Sequence, residues 1–324
     1  MKIGFIGHGK HAQSNLYPAI KYLNIPIQAI ATSTLESADY AKAQHNAAAC
    51  YIDYKKMFAQ ENLDCVFICV SDKLHPQIVK NSLIAGLHVF VEKPLSQTLD
   101  EAIEIHNLSQ QTGKNVQVGY MKRYAVPYQK ILKIQPEIGE IISINVTFGC
   151  RKFADDALDF LLQAAIHSIN LVQSYAGSVQ KVKSTISESS DYVAVSAIAL
   201  GTNNIPVSLT LMAADAWTKL NEEIIITGSK GYIKYNNNTG LEMHINPINN
   251  PAKPRWQTMD EVTNIYTTVS TTSSGAYQDL YQKGFIPEIN HFIECVKNNK
   301  TPLTDTLDNQ KTIEWLEAIY KNRI

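Results

Sequence analysis

The sequence predicts an α/β protein: an N-terminal doubly wound parallel sheet followed by a C-terminal α+β domain on a mostly antiparallel open sheet. Three observations carry this. Short apolar runs alternate with helical stretches over the first 120 residues. A glycine-rich hexapeptide, Gly7-His8-Gly9-Lys10-His11-Ala12, joins the first apolar run to the first helical pattern. After about residue 120 the rhythm changes to alternating strands with few helices between them. A chain of 324 residues has the length of two domains, and the expected division is 1–120 and 121–324.

Ile3–Gly7 reads as a strand and Asn15–Leu23 as a helix; Ile27–Ala31 and Ser37–Asn46 repeat the pair. Cys65–Val70 is continuously apolar, the mark of a strand buried on both faces of a parallel sheet. Pro76–Ala85 is a helix with proline at its start, Val89–Val91 a strand, Leu99–Thr112 a helix and Val116–Gly119 a strand. In the second half, Tyr128–Lys133 is helical and Ile141–Phe148 alternates, so one face of its sheet is wet or covered by a partner. Leu158–Tyr175 is a long helix. Val193–Leu200, Val207–Met212, Ile224–Thr227 and Tyr232–Lys234 are strands, the last two joined by a hairpin at Gly228-Ser229-Lys230-Gly231. Residues 236–275 are polar and read as a long surface loop. Ile286–Asn298 and Asn309–Tyr320 are closing helices.

Hydrophobic residues make up 45% and charged residues 18%, with a net charge of -1, so no basic excess argues for nucleic acid or an anionic membrane. No run approaches the roughly 18 apolar residues of a membrane span. The five cysteines, Cys50, Cys65, Cys69, Cys150 and Cys295, are scattered and odd in number. That argues against a disulfide framework and for a reducing compartment. Cys65 and Cys69 read as small core hydrophobes. With no leader pattern before Ile3, a cytoplasmic location is expected.

The hexapeptide has the form G-x-G-x-x-G/A. Gly7 permits the tight turn, Gly9 lets a pyrophosphate approach the backbone, and Ala12 lets the helix pack close to the sheet. The helix N-terminus then faces the phosphates. A Rossmann-type nucleotide site is therefore expected, with Gly7, His8, Gly9, Lys10, His11 and Ala12 as contacts. At the end of the second strand, Ala31-Thr32-Ser33-Thr34 has no carboxylate for a free ribose 2′-OH, and Glu36 comes late. Thr32, Ser33 and Thr34 leave room for a 2′-phosphate, and Lys10 partly supplies its counter-charge, though no arginine is at hand. This favours NADP over NAD; an NAD site lacking its acid is the alternative. His8 and His11 have H-x-x-H spacing, but a metal would compete with the turn. No metal is expected, and a hydrogen bond from either histidine to phosphate or ribose is.

Glu92-Lys93-Pro94 follows the apolar run His88-Val89-Phe90-Val91. A lysine at the C-terminal end of a buried strand sits where open α/β sheets place ligands. On the helix 158–175, Gln163, His167, Asn170 and Ser174 are spaced 4, 3 and 4 apart and form one uncharged polar stripe, a suitable lining for a polyol cleft. Lys122, Arg123, Arg151 and Lys152 offer a positive rim, with simple solvated charge as the equal alternative. Trp217, Arg255 and Trp256 are weaker candidates for sugar or nucleotide contact.

The chain resembles the glucose–fructose oxidoreductase/inositol dehydrogenase/MocA-like oxidoreductases over essentially its whole length. The resemblance rests on IGFIGHGKHA at 3–12, CVFICVSDKLHPQIV at 65–79, AGLHVFVEKPLS at 85–96, VQVGYMKRY at 116–124, IHSINL at 166–171 and IIITGSKGYIKY at 224–235. It implies a dinucleotide domain, substrate bound between the domains, and a homodimer or homotetramer formed through the C-terminal sheet. It implies oxidation or reduction of a hydroxyl/carbonyl pair on a sugar, cyclitol or nucleotide-sugar. Lys93 matches the lysine near the reacting oxygen, Glu92 the acid beside it, and His167 the histidine taken as acid/base. Val70, Ser71 and His75 fall in the segment lining the cofactor, and the Lys–Pro bond of this motif is often cis. Lys122, Arg151, Gln163, His167 and Asn170, with Lys93, make up the expected substrate contacts.

One departure matters. The family commonly has an aspartate four residues before the histidine and another three after it, where this chain has Gln163 and Asn170. Glutamine holds a hydroxyl but does not raise the basicity of a neighbouring imidazole. Weight shifts toward Lys93 as oxygen stabiliser and proton relay. The departure keeps two alternatives open: a non-catalytic cofactor- or sugar-binding regulator, and an NAD-assisted lyase or glycosidase.

Overall fold

The structure, a computed structural model, describes residues 1–154, 156–245, 262–267 and 277–324. Its contacts divide the chain into two units: Met1–Ala125 with Gly275–Ile313, and Val126–Ser274 with Glu314–Ile324. By its contacts the first unit also takes in a segment that returns from near the C-terminal end of the chain.

In chain order the first unit has strands β1 (Ile3–Ile6), β2 (Ile27–Ala31), β3 (Ala49–Tyr51), β4 (Cys65–Ile68), β5 (His88–Glu92) and β6 (Val116–Gly119). Between them lie helices α1 (Tyr17–Tyr22), α2 (Leu35–His45), α3 (Tyr54–Gln60), α4 (His75–Ile84) and α5 (Leu99–Thr112). All six strands are parallel, in the order β3-β2-β1-β4-β5-β6. The order reverses between β1 and β4, and ligands of doubly wound sheets bind at such a switch point. Thr34, Asp53 and Thr98 start α2, α3 and α5 by accepting hydrogen bonds from Ser37, Lys55 and Glu101 amides.

The second unit begins with α6 (Val126–Ile134) and β7 (Ile141–Arg151). The expected single helix 158–175 is α7 (Ala157–Phe160), a π-helical turn Leu161–Ala165, and α8 (Ile166–Ala176). Strands β8 (Val179–Glu188), β9 (Tyr192–Gly201), β10 (Pro206–Ala214), β11 (Asn221–Gly228), β12 (Gly231–Asn236), β13 (Gly240–Ile245) and β14 (Val262–Tyr266) follow. The sheet order is β14-β13-β12-β11-β7-β10-β9-β8, antiparallel except where β7 and β10 run parallel. The tract 236–275 is thus not one long loop, because β13 and β14 lie within it as an antiparallel pair at the sheet edge. Its residues 246–261 and 268–275 are outside the described residues. Trp315 anchors the last helix here, its indole N–H donating to the Gly177 carbonyl at 2.8 Å.

The chain then returns through α9 (Gln278–Gln282), α10 (Phe285–Lys297) and α11 (Thr306–Lys321), and the division between units falls inside α11. On the first sheet, Phe5, Phe67 and Phe90 stand side by side in register on β1, β4 and β5, with Gln117 next on β6. Their rings stack at 6.0 and 5.1 Å between centroids. Phe292 of α10 caps the row edge-on, 5.5 Å from Phe67 and 5.9 Å from Phe90. The closing helix read at 286–298 is therefore a core helix of the nucleotide unit.

Truncating Phe292 to alanine is expected to cost about 3–5 kcal/mol, the usual loss for a buried phenylalanine. Denaturant unfolding checks this. A loss near zero would mean that α10 is not part of this core.

Candidate active and cofactor site

Two residues beyond the aromatic row, on the same face, come Gly7, Cys69, Glu92 and Gly119. This second row frames the candidate site. Gly7 has φ +105°, and a β-carbon on it would lie 2.0 Å from the Cys69 carbonyl oxygen. Only glycine lets the loop after β1 turn this tightly against the end of β4. Gly9 is the opposite case: a β-carbon there would meet nothing within 4 Å, so the backbone borders open space. The helix starts directly after it. Ala12 is completely buried, and Leu16 packs beside it in a π-helical turn, Ala12–Leu16, that leads into α1.

Glu92 is 5% exposed. Its Oε1 lies 3.1 Å from His11 Nε2, and its Oε2 accepts the Lys93 amide at 3.3 Å. Opposite it on β6, a β-carbon on Gly119 would come within 3.1 Å of the carboxylate, so glycine makes room for the acid. Burial alone raises the Glu92 pKa. The hydrogen bond and charge of His11, with the charge of Lys93, outweigh burial and hold it below the usual range. His11 shows the converse. Burial lowers its pKa, and Glu92 more than restores it.

The Lys93–Pro94 bond is cis, as the resemblance implied. His75, 1% exposed at the start of α4, accounts for the position of the proline: its Nδ1–H donates to the Pro94 carbonyl at 2.8 Å. Burial lowers the His75 pKa and keeps the ring neutral. Its buried Nε2 then remains as an acceptor without a partner in the protein. The open space at Gly9 and this leftover acceptor both fit a bound dinucleotide. Val70 is half-buried and Ser71 exposed at the exit of β4.

Several expected contacts are engaged elsewhere. His8 turns toward α2, its Nε2 3.1 Å from His45 Nε2, and its ring lies edge-on to Tyr17 and Tyr40. Burial, then the charges of His8 and Lys21, push His45 down to about 4. Thr32 donates its hydroxyl to the Thr34 carbonyl at 2.9 Å and so has no proton for a phosphate. Thr34 accepts from Ser37, but its own O–H and that of exposed Ser33 remain donors. Lys10 is exposed. Cys65 and Cys69 are core residues, their thiols pushed up by burial. Among the described residues, no group of three or more His, Cys, Asp or Glu is placed to hold a metal.

The residues read as a positive rim differ in their surroundings. Lys122 is 8% exposed, Arg123 pairs with Asp308 at 3.0 Å, and Lys152 donates to the Ser190 carbonyl. Of those four residues Arg151 alone is exposed. Trp217 lies against the backbone of Gly149, where a β-carbon would meet its ring at 2.2 Å, so it packs on the second sheet. Arg255 and Trp256 lie outside the described residues.

In the second unit the residues of the polar stripe differ in exposure. Gln163 and His167 are half-buried, Asn170 is fully buried, and Ser174 is exposed. The π-helical turn Leu161–Ala165 contains Gln163, whereas His167, Asn170 and Ser174 keep their spacings of 3 and 4 within the regular α8.

The reading of the residues missed Glu288. It is completely buried on α10, one turn before Phe292, and Gln117 donates to its backbone carbonyl at 2.8 Å. Burial, then the charge of Glu92, raises its pKa well above the usual range, so it stands neutral. The signal was present: a lone carboxylate among Phe285, Ile289 and Phe292 on the apolar face of a helix.

Comparison with known proteins gives this geometry its relatives. Residues 1–120 match the NAD-binding Rossmann domain of an oxidoreductase family, and residues 134–323 match that family's C-terminal α/β domain. YrbE of Bacillus subtilis, described as an uncharacterized oxidoreductase, is 29% identical over 138 residues, 43% of this chain but only 40% of that protein. D-xylose 1-dehydrogenase (NADP(+)) 2 of Haloferax volcanii is 21% identical over 332 residues, covering 99% of this chain and 97% of its own. A dehydrogenase from Chromobacterium violaceum has the same fold, with a TM-score of 0.85 at 21% identity over 100% of this chain and 95% of that one. Both domains match in order and span nearly all of the sequence, and the chain therefore belongs to the glucose–fructose oxidoreductase/inositol dehydrogenase/MocA oxidoreductase family.

Proposed function

We propose that this protein is an NAD(P)-dependent dehydrogenase or reductase that moves a hydride between nicotinamide and a hydroxyl/carbonyl carbon of a sugar, cyclitol or nucleotide-sugar. The observation that carries the proposal is the 3.1 Å contact between His11 and Glu92. It fastens the nucleotide loop to the strand exit that bears Lys93, so that the cofactor-holding backbone and the candidate proton-transfer group belong to one rigid construction. The cofactor, when bound, supplies the hydride chemistry. Gly9 and the helix start would hold its pyrophosphate, with His75 close to its path.

Lys93 serves as a cation that stabilises the substrate oxygen as its proton leaves. Its positive charge helps hold the neighbouring Glu92 ionised. His167, carried by the second unit, is the other candidate for the proton, and Gln163 is a neutral hydroxyl ligand. Ser33 and Thr34 supply donors for a 2′-phosphate without a competing carboxylate, which supports NADP over NAD. The NADP+ named for the Haloferax relative agrees with this. The face of the second sheet bearing Ser196, Ile198, Ser208 and Thr210 is exposed, Ile198 by 72%, and supports assembly into a homodimer or homotetramer.

Gly9→Val is expected to fill the open space and abolish NAD(P)H binding, measured by nicotinamide fluorescence, with the fold intact by circular dichroism. Lys93→Ala is expected to lower kcat by about 10²–10⁴, while cofactor Kd stays within a few-fold. Full turnover in that variant across the pH range would remove Lys93 from the mechanism. NADPH is expected to bind more tightly than NADH in parallel titrations, and the opposite order would reassign the Thr32–Thr34 segment.

A further inference from the structure

His11 stands at the second helical position of the nucleotide loop, two residues after Gly9. Its Nε2 lies 3.1 Å from Glu92 Oε1, and its Nδ1 lies 3.2 Å from Asn15 Nδ2, one turn along its own helix. The ring meets Phe285 of α10 edge-on at 5.8 Å, and 47% of the side chain remains accessible. One imidazole nitrogen thus faces a buried carboxylate, and the other faces an amide that can present either its N–H or, turned over, its oxygen. The site accepts both protonation states of the ring without losing a hydrogen bond.

The surrounding groups leave His11 as the one that titrates. Glu92, on β5, is held ionised. Lys93 brings positive charge from the same strand exit and acts to lower the His11 pKa. Glu288, from α10, is neutral because burial and then Glu92 raise it. His75, from α4, is neutral because burial lowers it. The Cys69 thiol, from the end of β4, is kept protonated by burial and then Glu92.

We propose that His11 is a positioning residue that couples cofactor binding to proton uptake: one proton from solvent goes to Nδ1, and the resulting imidazolium holds the loop to Glu92 while facing the dinucleotide pyrophosphate. The proposal rests on the NAD(P)-dependent reading. An anion bound two residues away favours the charged ring, so the His11 pKa is higher with cofactor than without. Affinity is then full below the free-protein value and declines as pH rises through the bound-protein value. Each unit between the two values is a tenfold change in Kd.

The test is calorimetric titration of the whole chain with NADH from pH 6 to 9, in paired buffers of different ionisation enthalpy. NADPH is run only above pH 7, where its 2′-phosphate, with a second pKa of about 6, is already ionised. The wild-type protein is expected to take up protons on binding. His11→Gln, which keeps a donor for Glu92 without a titrating group, is expected to bind with no uptake. Glu92→Gln is expected to move the uptake to lower pH. Titration of the His11 ring by NMR, with and without NADH, reads the same shift in the unaltered chain. Uptake that survives in His11→Gln, or that vanishes instead in His8→Asn, overturns the proposal. Tight, pH-independent binding also overturns it but leaves the oxidoreductase reading standing. Failure of both NADH and NADPH to bind at any pH overturns both.

Discussion

Glu92 is a charged carboxylate in the interior of the protein, and much of its surroundings follows from keeping it charged. An unpaired buried carboxylate would pick up a proton. His11 prevents this from one side and Lys93 from the other. Gly119 gives the carboxylate room that a side chain would occupy. Glu288 is neutral in turn, since a second negative charge at this depth would oppose the first. The same contact joins the loop after β1 to the exit of β5, across the whole width of β4. The nucleotide loop is therefore held at the sheet end as well as by its own helix.

What could be read in advance were features with a local signature. The parallel strands Ile27–Ala31 and Val116–Gly119 and the helix Leu99–Thr112 have the bounds expected, because apolar runs and a Thr98 cap define them within a few residues. The glycine loop and the Glu-Lys-Pro exit belong to the same class. By contrast, β3 is only three half-buried residues, Ala49-Cys50-Tyr51, in a run of small residues without β-branched members before Ile52, and α3 follows it closely. β8 is largely polar and exposed, an edge strand recognisable only by its partner β9. β13 and β14 are concealed in a polar tract for the same reason. The pairing of His11 with Glu92, 81 residues apart, has no local signature at all. Nothing in the spacing of either residue marks the other.

The helix that carries His167 shows a different limit. Reading one face from spacings of three and four assumes an unbroken α-helix. The π-helical turn before Ile166 breaks that assumption at the first member of the motif, Gln163, while His167, Asn170 and Ser174 share the regular α8. Such turns are common at functional sites. The two residues that depart from the family's carboxylates are not equivalent. Gln163 keeps partial access, whereas Asn170 sits in the interior, where an ionised aspartate would need a counter-charge close by.

The return of α10 to the first sheet bears on how the protein is made. Phe67 and Phe90 have no complete cover until Phe292 arrives, and the second unit lies between them in the chain. As the polypeptide leaves the ribosome, the nucleotide-binding unit is the first to begin and the last but one segment is needed to finish it. An aromatic face stays open throughout synthesis of the second sheet, during which a chaperone or a neighbouring nascent chain has access to it. The order of the genetic message and the order of folding are thus out of step, and the unit that opens the chain is completed from near its end.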